Sequence, residues 1–510
     1  MSTPTHQIRP DYLHTVTPLR PFYQYPLTEL DFGQIMRDKR RDQTDRATLA
    51  AVLREQYQGL EMGAKVEAHL RGLEQEEAFT VTTGHQLVLF GGPLFTIYKV
   101  MSTIRLAEQL TQEQGHPVVP VFWIHTEDHD FEEINHYYDG FGEKHAYPGS
   151  FDSKVGLHQL EDSIRDLWSE RLPEALNHAY QPGKSLAQAT REFFHSLFKD
   201  FGLLILDADD ARLKRQFVPV MRQEIEQQQA QQLVESTSVA LKKAGYPAQI
   251  NPREINLFYA DEQGRDRLVV HGDQFAVRGR RERFSADELL QMIEAHPERF
   301  SPNVSLRPLY QEMILPNLAY FGGWGELSYW LQLKGVFDHF QVNYPAVLPR
   351  FSATVLPADW RQEWEGLGFE GMDVRRPLHE LYRDYMPKVW DSKPFDELEE
   401  KILAQVAELR GYIASEVSPT LARSADALRT KNLNFLQNLR KKAHRVTRHR
   451  HPEPFQHIEA LKLQVNPDGQ VQERVWSLIT VAQWMTPQDF IAQVYQQCNP
   501  LNFVHQALEL

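Results

Sequence analysis

Between residues 78 and 135 the chain reads strand, glycine-rich turn, helix, strand, and no other stretch limits its topology as strongly. "AFTVTTG" is an apolar, β-branched run of strand length. It breaks at Thr83-Gly84-His85-Gln86, and a Gly91-Gly92-Pro93 step follows. "LFTIYKVMSTIRLAEQLTQEQ" then places Ile97, Val100, Met101, Ile104 and Ala107 on one helical face, and "HPVVPVFWIH" is a second buried strand. Strand, helix and strand in so short a span form a βαβ unit, which requires a parallel sheet and a right-handed crossover. "GLLILDADD" supplies a third strand, "LAYFGGWGELSYWLQLKGVFDHF" another strand, turn and helix, and "YPAVLPRFSATVLP" a last strand. The expected class is α/β with a parallel sheet.

Open parallel sheets bind ligands outside the carboxyl ends of their strands. The first strand delivers Thr83, Gly84, His85 and Gln86 there, and the second His125, Thr126, Glu127, Asp128, His129 and Asp130. Asp207 and Asp209 end the third, and Gly322, Gly323, Gly325 and Glu326 follow the later one. The Gly91-Gly92 turn can present backbone N–H groups to a phosphate or carboxylate, although Lys99 lies two turns into the helix. Neither a Walker A loop nor GxGxxG is present, which argues against NAD(P) chemistry. "HTEDHDFEEINH" (125–136) admits several readings. It can orient an amine and take its proton, hold Mg²⁺, ligate Zn²⁺ or Fe through His125, His129 and Asp130, or simply cap the next helix. Arg307 is a candidate carboxylate or phosphate clamp through its planar fork.

Composition narrows the partners. The net charge of −14 over 510 residues argues against a broad nucleic-acid footprint. Cys498 is the only cysteine, which excludes an intramolecular disulfide and a Cys-based zinc site. The N-terminus lacks the apolar core of a signal peptide, and no apolar run approaches the roughly 20 residues that span a bilayer. A cytoplasmic protein with no membrane partner is expected.

Residues 386–450 change texture: Ile402, Val406, Leu409 and Ile413, then Leu421, Ala425, Leu428, Asn432, Phe435 and Leu439, step by fours and threes. This is the pattern of a coiled-coil-like arm. Pro419 either kinks it or opens a second helix capped by Ser418.

"TTGHQLVLFGGPLFTIYK", "PVFWIHTEDHDFEEINH", "NVSLRPLYQ" and "GGWGELSYW", with the helical tail, resemble the bacillithiol biosynthesis BshC family over nearly the whole chain. The resemblance implies a Rossmann-like core akin to class I aminoacyl-tRNA synthetases and nucleotidyltransferases, over about residues 1–385. It also implies a helical insertion (about 150–200), a mixed α/β insertion (about 245–300), a coiled-coil arm at 386–450 that makes a homodimer, and a segment 451–510 packing back on core or arm. The activity implied is a ligase joining L-cysteine to the amine of glucosaminyl-malate, with an adenine nucleotide (ATP/ADP) as the expected cofactor and Mg²⁺ as a further candidate from the 125–136 stretch. Alternatives from other classes are a non-catalytic dimeric assembly protein and a metal-dependent hydrolase of an amino-sugar conjugate. By motif, Thr83, Gly84, Gln86, Gly92, Pro93, Thr96 and Lys99 would line the crevice. Glu127, Asp128, His129, Asp130 and Asn135 would sit opposite, with Arg307 and Gln311 closing it; His85, His125, Gly323 and Glu326 join them as strand-end residues. Glu127, Asp128, His129 and Asp130 are the expected catalytic groups, and no resident metal is expected. A second adenine-nucleotide site near the coiled coil would draw on Lys431, Arg440, Lys441 and Arg445. The family pattern carries Gln where this chain has His85, and Thr where it has Gly91.

Overall fold

The computed structural model describes residues 5–139 and 143–510. The chain divides into two compact units, Met1–Ala353 with Glu473–Gln506, and Thr354–Gln472 with Ala507–Leu510.

In the first unit five strands form one sheet: β1 (Phe79–His85), β2 (Val118–Ile124), β3 (Leu204–Asp207), β4 (Asn317–Gly322) and β5 (Ala346–Pro349). Their spatial order is β5-β4-β1-β2-β3, and every neighbouring pair is parallel. The chain therefore winds outward from β1 through β2 and β3, then returns to build β4 and β5 on the other side. The order reverses between β1 and β4, the place where such sheets open a crevice. The strand residues are apolar and buried almost throughout, as a sheet covered on both faces requires. Helix α1 (Leu94–Gln114) packs on β1 and β2 and ends where Gly115 takes the left-handed conformation, φ 70°. Its five predicted core residues are all fully buried. Helices α2 (Arg307–Ile314) and α3 (Trp324–Trp330) flank β4.

The helical insertion contains Glu174–Ala179 and Leu186–Phe198, the latter opened by a Ser185–Gln188 capping box. The second insertion is a five-stranded antiparallel sheet spanning Leu257 to Pro302, with helix Ala286–Ala295 within it.

Three boundaries differ from the sequence expectation. The last predicted strand splits: Ala346–Pro349 stays in the main sheet, whereas Ala353–Leu356 pairs with Gln506–Glu509. The core ends near Ala353 and not near 385, because Leu356, Trp360, Trp364, Val374 and Leu381 share a separate apolar cluster with Phe455, Ile458 and Leu461. The C-terminal segment is divided, with helix Pro452–Val465 in the second unit and Glu473–Gln506 in the first.

The arm is a hairpin of two helices, α4 (Lys393–Tyr412) and α5 (Ala422–Arg450). Ion pairs Arg410–Asp426 (2.6 Å) and Arg440–Asp396 (2.5 Å) fix it as antiparallel. Pro419 lies in the turn, behind Ser418, whose hydroxyl accepts the Thr420 N–H at 3.3 Å. The second-helix reading of Pro419 is the one observed.

Candidate active site

The crevice opens at the carboxyl ends of β1, β2 and β4 and has two chambers. The first, about 400 Å³, is lined by Gly84, His85, Phe95, Lys99, Glu133, Gly323, Glu326, Arg350 and Arg474 among others. The second, about 440 Å³, is lined by Glu127, Asp128, His129, Phe258, Asn303, Arg265 and Arg307 among others. Gln86, His125 and Tyr329 line both and form the junction.

Lys99 braces the first chamber. Side chains on a helix lean toward its N-terminus, so the ammonium reaches back to the Gly84 carbonyl at 2.9 Å and the Glu326 carboxylate at 2.5 Å. One residue thus ties the ends of β1 and β4 across the switch point. Burial pulls Lys99 below the usual lysine range despite its partner. Burial pushes Glu326 upward, yet Lys99, the Gly323 N–H (2.8 Å) and the Tyr320 hydroxyl (2.8 Å) together hold it below the usual carboxylate range. Arg350, just past β5, pairs with Glu473 at 2.6 Å and lies over the Phe95 ring.

His85 and His125 are buried and held in the neutral form. Burial drives His85 down to about 3, and burial and then Arg307 drive His125 well below the ordinary range. The His125 ring lies so close to Gly84 that a Cβ there would stand 2.8 Å from its Nε2, so the strand-end glycine makes room for it.

At the junction Gln86 Nε2 donates to Glu133 at 2.6 Å and reaches Asp128 at 3.3 Å, holding two carboxylates on either side of the amide. Burial raises Glu133 above the usual range. In the second chamber the Arg265 guanidinium stacks on Phe258, 3.8 Å from its centroid, and donates to His129 Nδ1 at 2.8 Å. A guanidinium can only donate, so His129 Nδ1 is the acceptor in this contact. Glu127 is ion-paired with Lys214, which also meets Asp209 at 3.3 Å; Lys154 pairs with Asp209 at 2.7 Å. Burial opposes the Lys214 charge, but Glu127 and Asp209 outweigh it and keep the ammonium protonated.

Among the described residues, four buried nitrogens of lining residues have no hydrogen-bond partner: His85 Nε2, His125 Nε2, Arg307 Nη2 and Arg350 Nε. Three come from segments at or just past the ends of β1, β2 and β5 and the fourth from the start of α2, and their side chains line the two chambers. Buried polar groups are normally satisfied by protein or by ordered water, so these four atoms are open to water or to polar ligand atoms.

Of the residues expected from sequence, Gly84, His85, Gln86, Lys99, His125, Glu127, Asp128, His129, Arg307, Gly323 and Glu326 line the crevice. The others lie outside its lining. Thr83 is buried and donates to the Phe321 carbonyl at 2.8 Å, clamping β1 to β4. The Gly91-Gly92-Pro93 turn is covered by the returning C-terminal segment: Leu94 N–H donates to the Trp476 carbonyl at 2.7 Å, and Pro93 bridges Ser477. Its glycines serve positive φ, 83° and 67°, and pack on Phe193 and Val88. Thr96 is buried in α1 behind that turn, and its N–H donates to the Pro93 carbonyl at 2.9 Å. Asp130 caps the short helix Phe131–Ile134, accepting the Glu133 N–H at 3.2 Å. Asn135 holds the Tyr147 carbonyl at 3.3 Å. Gln311 is buried behind Arg307.

Of the proposed second nucleotide site, Lys431, Lys441 and Arg445 are exposed on α5. Arg440 alone lines a groove there, and it is ion-paired with Asp396 and Glu399 among further acids. Among the described residues the one cluster with metal-ligand spacing is Asp139, Glu143 and His145, outside the crevice lining.

Sequence reasoning missed Arg350, Arg474, Arg265, Glu133 and Tyr329. Arg350 directly follows the last core strand and was within reach of the strand-end argument. Arg265 and Arg474 come from the antiparallel insertion and the C-terminal return, and no local pattern announces them.

The strand order and the strand-end crevice define a Rossmann-like α/β protein carrying a coiled-coil domain. A model of the bacillithiol biosynthesis BshC N-terminal Rossmann-like domain matches residues 1–351, and one of the BshC C-terminal coiled-coil domain matches 353–510. The chain belongs to the bacillithiol biosynthesis BshC family. Similar proteins named "Putative cysteine ligase BshC" occur in Cytophaga hutchinsonii (33% identity, covering 97% of this chain and 94% of that one) and Flavobacterium johnsoniae (35%, covering 91% and 90%). A third, from Bacillus cytotoxicus, is 27% identical and covers 100% of this chain and 99% of its own. Among the described residues no helix is long and apolar enough to cross a membrane.

Proposed function

We propose that this protein is an ATP-dependent ligase that joins the carboxyl of L-cysteine to the amine of glucosaminyl-malate. The observation that carries the reading is the convergence of four unpartnered nitrogens on two chambers that share one junction. Two chambers suit two substrates, and the relatives' shared name supports cysteine as one of them.

The first chamber, with Arg350 and Arg474, takes the activated cysteine and its phosphate. The second takes the amino sugar, with Asp128 meeting the ammonium and Arg307 a malyl carboxylate. ATP converts the cysteine carboxylate either to an acyl-adenylate with loss of pyrophosphate or to an acyl-phosphate with loss of ADP. The ammonium must then lose a proton to free its lone pair. The amine nitrogen bonds to the acyl carbon, the carbon–oxygen bond to the phosphorus-bearing group breaks, and AMP or phosphate departs with that electron pair. The second amine proton follows as the amide forms. A positioned base contributes about 10²- to 10⁴-fold. Asp128 fits that role best, since Glu127 is held by Lys214, Asp130 caps a helix and His129 Nδ1 accepts from Arg265. A magnesium ion entering with ATP would find Asp128 and Glu133 as oxygen ligands. The apolar row on the α4–α5 hairpin supports a homodimer through this domain.

Incubation with glucosaminyl-malate, cysteine, ATP and Mg²⁺, read by mass detection of the thiol product, tests the ligase. Asp128→Asn is expected to lower kcat about 100-fold or more while leaving the fold intact. Absence of product from the wild-type protein removes the ligase reading, and full activity in Asp128→Asn removes the base assignment. Cysteine-dependent pyrophosphate exchange marks an adenylate; phosphate release without exchange marks an acyl-phosphate.

A further inference from the structure

Helix α2 begins at the crevice with Arg307 and ends near the start of β4, and a buried polar chain runs along it. Arg307 Nη1 donates to Gln311 Oε1 at 3.2 Å, and Gln311 Nε2 donates to Glu312 Oε1 at 2.9 Å. The same carboxylate oxygen accepts Asn317 Nδ2 at 2.8 Å. Asn317 Oδ1 in turn accepts the Thr82 hydroxyl at 2.9 Å and the Thr80 hydroxyl at 3.3 Å, on β1. Gln311, Glu312 and Asn317 are completely buried.

An ionised acid is costly inside a protein, and this one has only a distant counter-charge. Lys39 Nζ stands 3.7 Å from Glu312 Oε2, while its own bonds go to the Glu312 backbone carbonyl (2.7 Å) and to Asp42 (2.9 Å). Burial pushes the Glu312 carboxyl up to about 7. What a carboxylate supplies here is direction. Its Oε1 accepts from both neighbouring amides, and Oε2 is left free of them, so each amide turns its NH₂ toward Oε1 and its oxygen away. Gln311 must therefore present Oε1 to Arg307. That contact occupies Nη1 and the guanidinium also hydrogen-bonds the Tyr329 hydroxyl, while Nη2 is buried with no partner among the described residues, on a side chain that lines the second chamber.

We propose that Gln311 and Glu312 are positioning residues, turning the Arg307 guanidinium so that Nη2 meets a carboxylate oxygen of the ligand in the second chamber. The inference rests on the placement of the malyl group in that chamber under the ligase reading. A structural role alone would predict loss of stability on mutation; a positioning role predicts loss of carboxylate affinity that depends on Arg307.

Calorimetric titration of L-malate into the full-length protein separates the two. The wild type is expected to bind, and Gln311→Leu and Glu312→Gln to bind at least tenfold more weakly. In an Arg307→Lys background, where the fork is gone, Gln311→Leu is expected to cost less than threefold more. Equal losses in both backgrounds, unchanged affinity in Gln311→Leu, or no malate binding by the wild type each overturn the proposal. Should Glu312→Gln not fold, Gln311→Leu carries the test alone. The product assay reads the ligase independently: product without malate binding sinks only the positioning role, and malate binding without product sinks only the ligase.

Discussion

The imidazole of His85 sits edge-on to Phe95, ring centroids 5.0 Å apart, with Nε2 buried and unpartnered. Its position at the end of β1 invites a general-base role, but burial, together with the nearby Lys99 ammonium, holds it at about 3. A group that weakly basic takes up no proton from an amine at neutral pH; it can offer only a hydrogen bond. The same depression makes His85 a source of acid sensitivity. An unfolded histidine titrates near 6.5, so below that pH the unfolded chain binds a proton that the folded chain refuses. Its contribution to stability is complete above about 6.5 and is lost as pH falls toward 3, at up to about 1.4 kcal/mol per pH unit. Glu312 works in the opposite sense. Raised to about 7, it is protonated in the fold where the unfolded acid is not, and it weakens stability as pH rises from about 4.5 to 7. Comparing variant with wild type cancels that background. Denaturant midpoints at pH 7 and pH 5 are expected to fall less for His85→Gln than for wild type; parallel losses would show that His85 does not titrate differently in the two states.

At the scale of elements, the β1–turn–α1 segment shows what local sequence can and cannot declare. The strand, the turn and the buried face of α1 are all written in residues 79–107, because β-branched runs and helical spacing act over a few residues. The role of the turn is not. Its first helical N–H is taken by the carbonyl of Trp476, some 380 residues later in the chain, and its glycines answer Phe193 and Val88. His129 is similar: its Nδ1 accepts from Arg265, which belongs to the mixed α/β insertion. Strand-end position located the crevice, and eleven of the expected residues do line it, but which hydrogen bonds are already spent depends on contacts distant in sequence. The turn gives a sharp test. At Gly91 φ is 83°, and a Cβ would lie 2.8 Å from Phe193. Gly91→Ala is expected to cost about 1–3 kcal/mol in stability while leaving KM for ATP within a factor of two. A KM raised tenfold with unchanged stability would return the turn to the phosphate site.

For the molecule as a whole, the helical hairpin poses the remaining problem of surface. Leu398, Ile402, Leu409, Leu421, Leu428, Phe435 and Leu439 are all exposed on α4, α5 and their turn, and Phe435 is 67% accessible. Single exposed leucines need no explanation, but a row of them on one hairpin does. The heptad-like spacing that predicted a coiled coil is only partly consumed by packing α4 against α5: among the described residues of the two helices, Ala425 and Leu436 alone are fully buried. The rest of the pattern fits a second helical surface of the same kind, and the homodimer proposed above would supply it from a second copy of this chain. A twofold interface brings each residue near its counterpart, so a charge placed in the row is repeated across the axis and repels itself. Leu428→Glu with Phe435→Glu is therefore expected to convert a dimer to a monomer at micromolar concentration in sedimentation velocity. Since both side chains are exposed in the single chain, the variant should unfold at no lower a temperature than wild type measured where the wild type has itself dissociated. A wild-type chain that sediments as a monomer at every concentration refutes the dimer; a variant that stays dimeric moves the interface off this row.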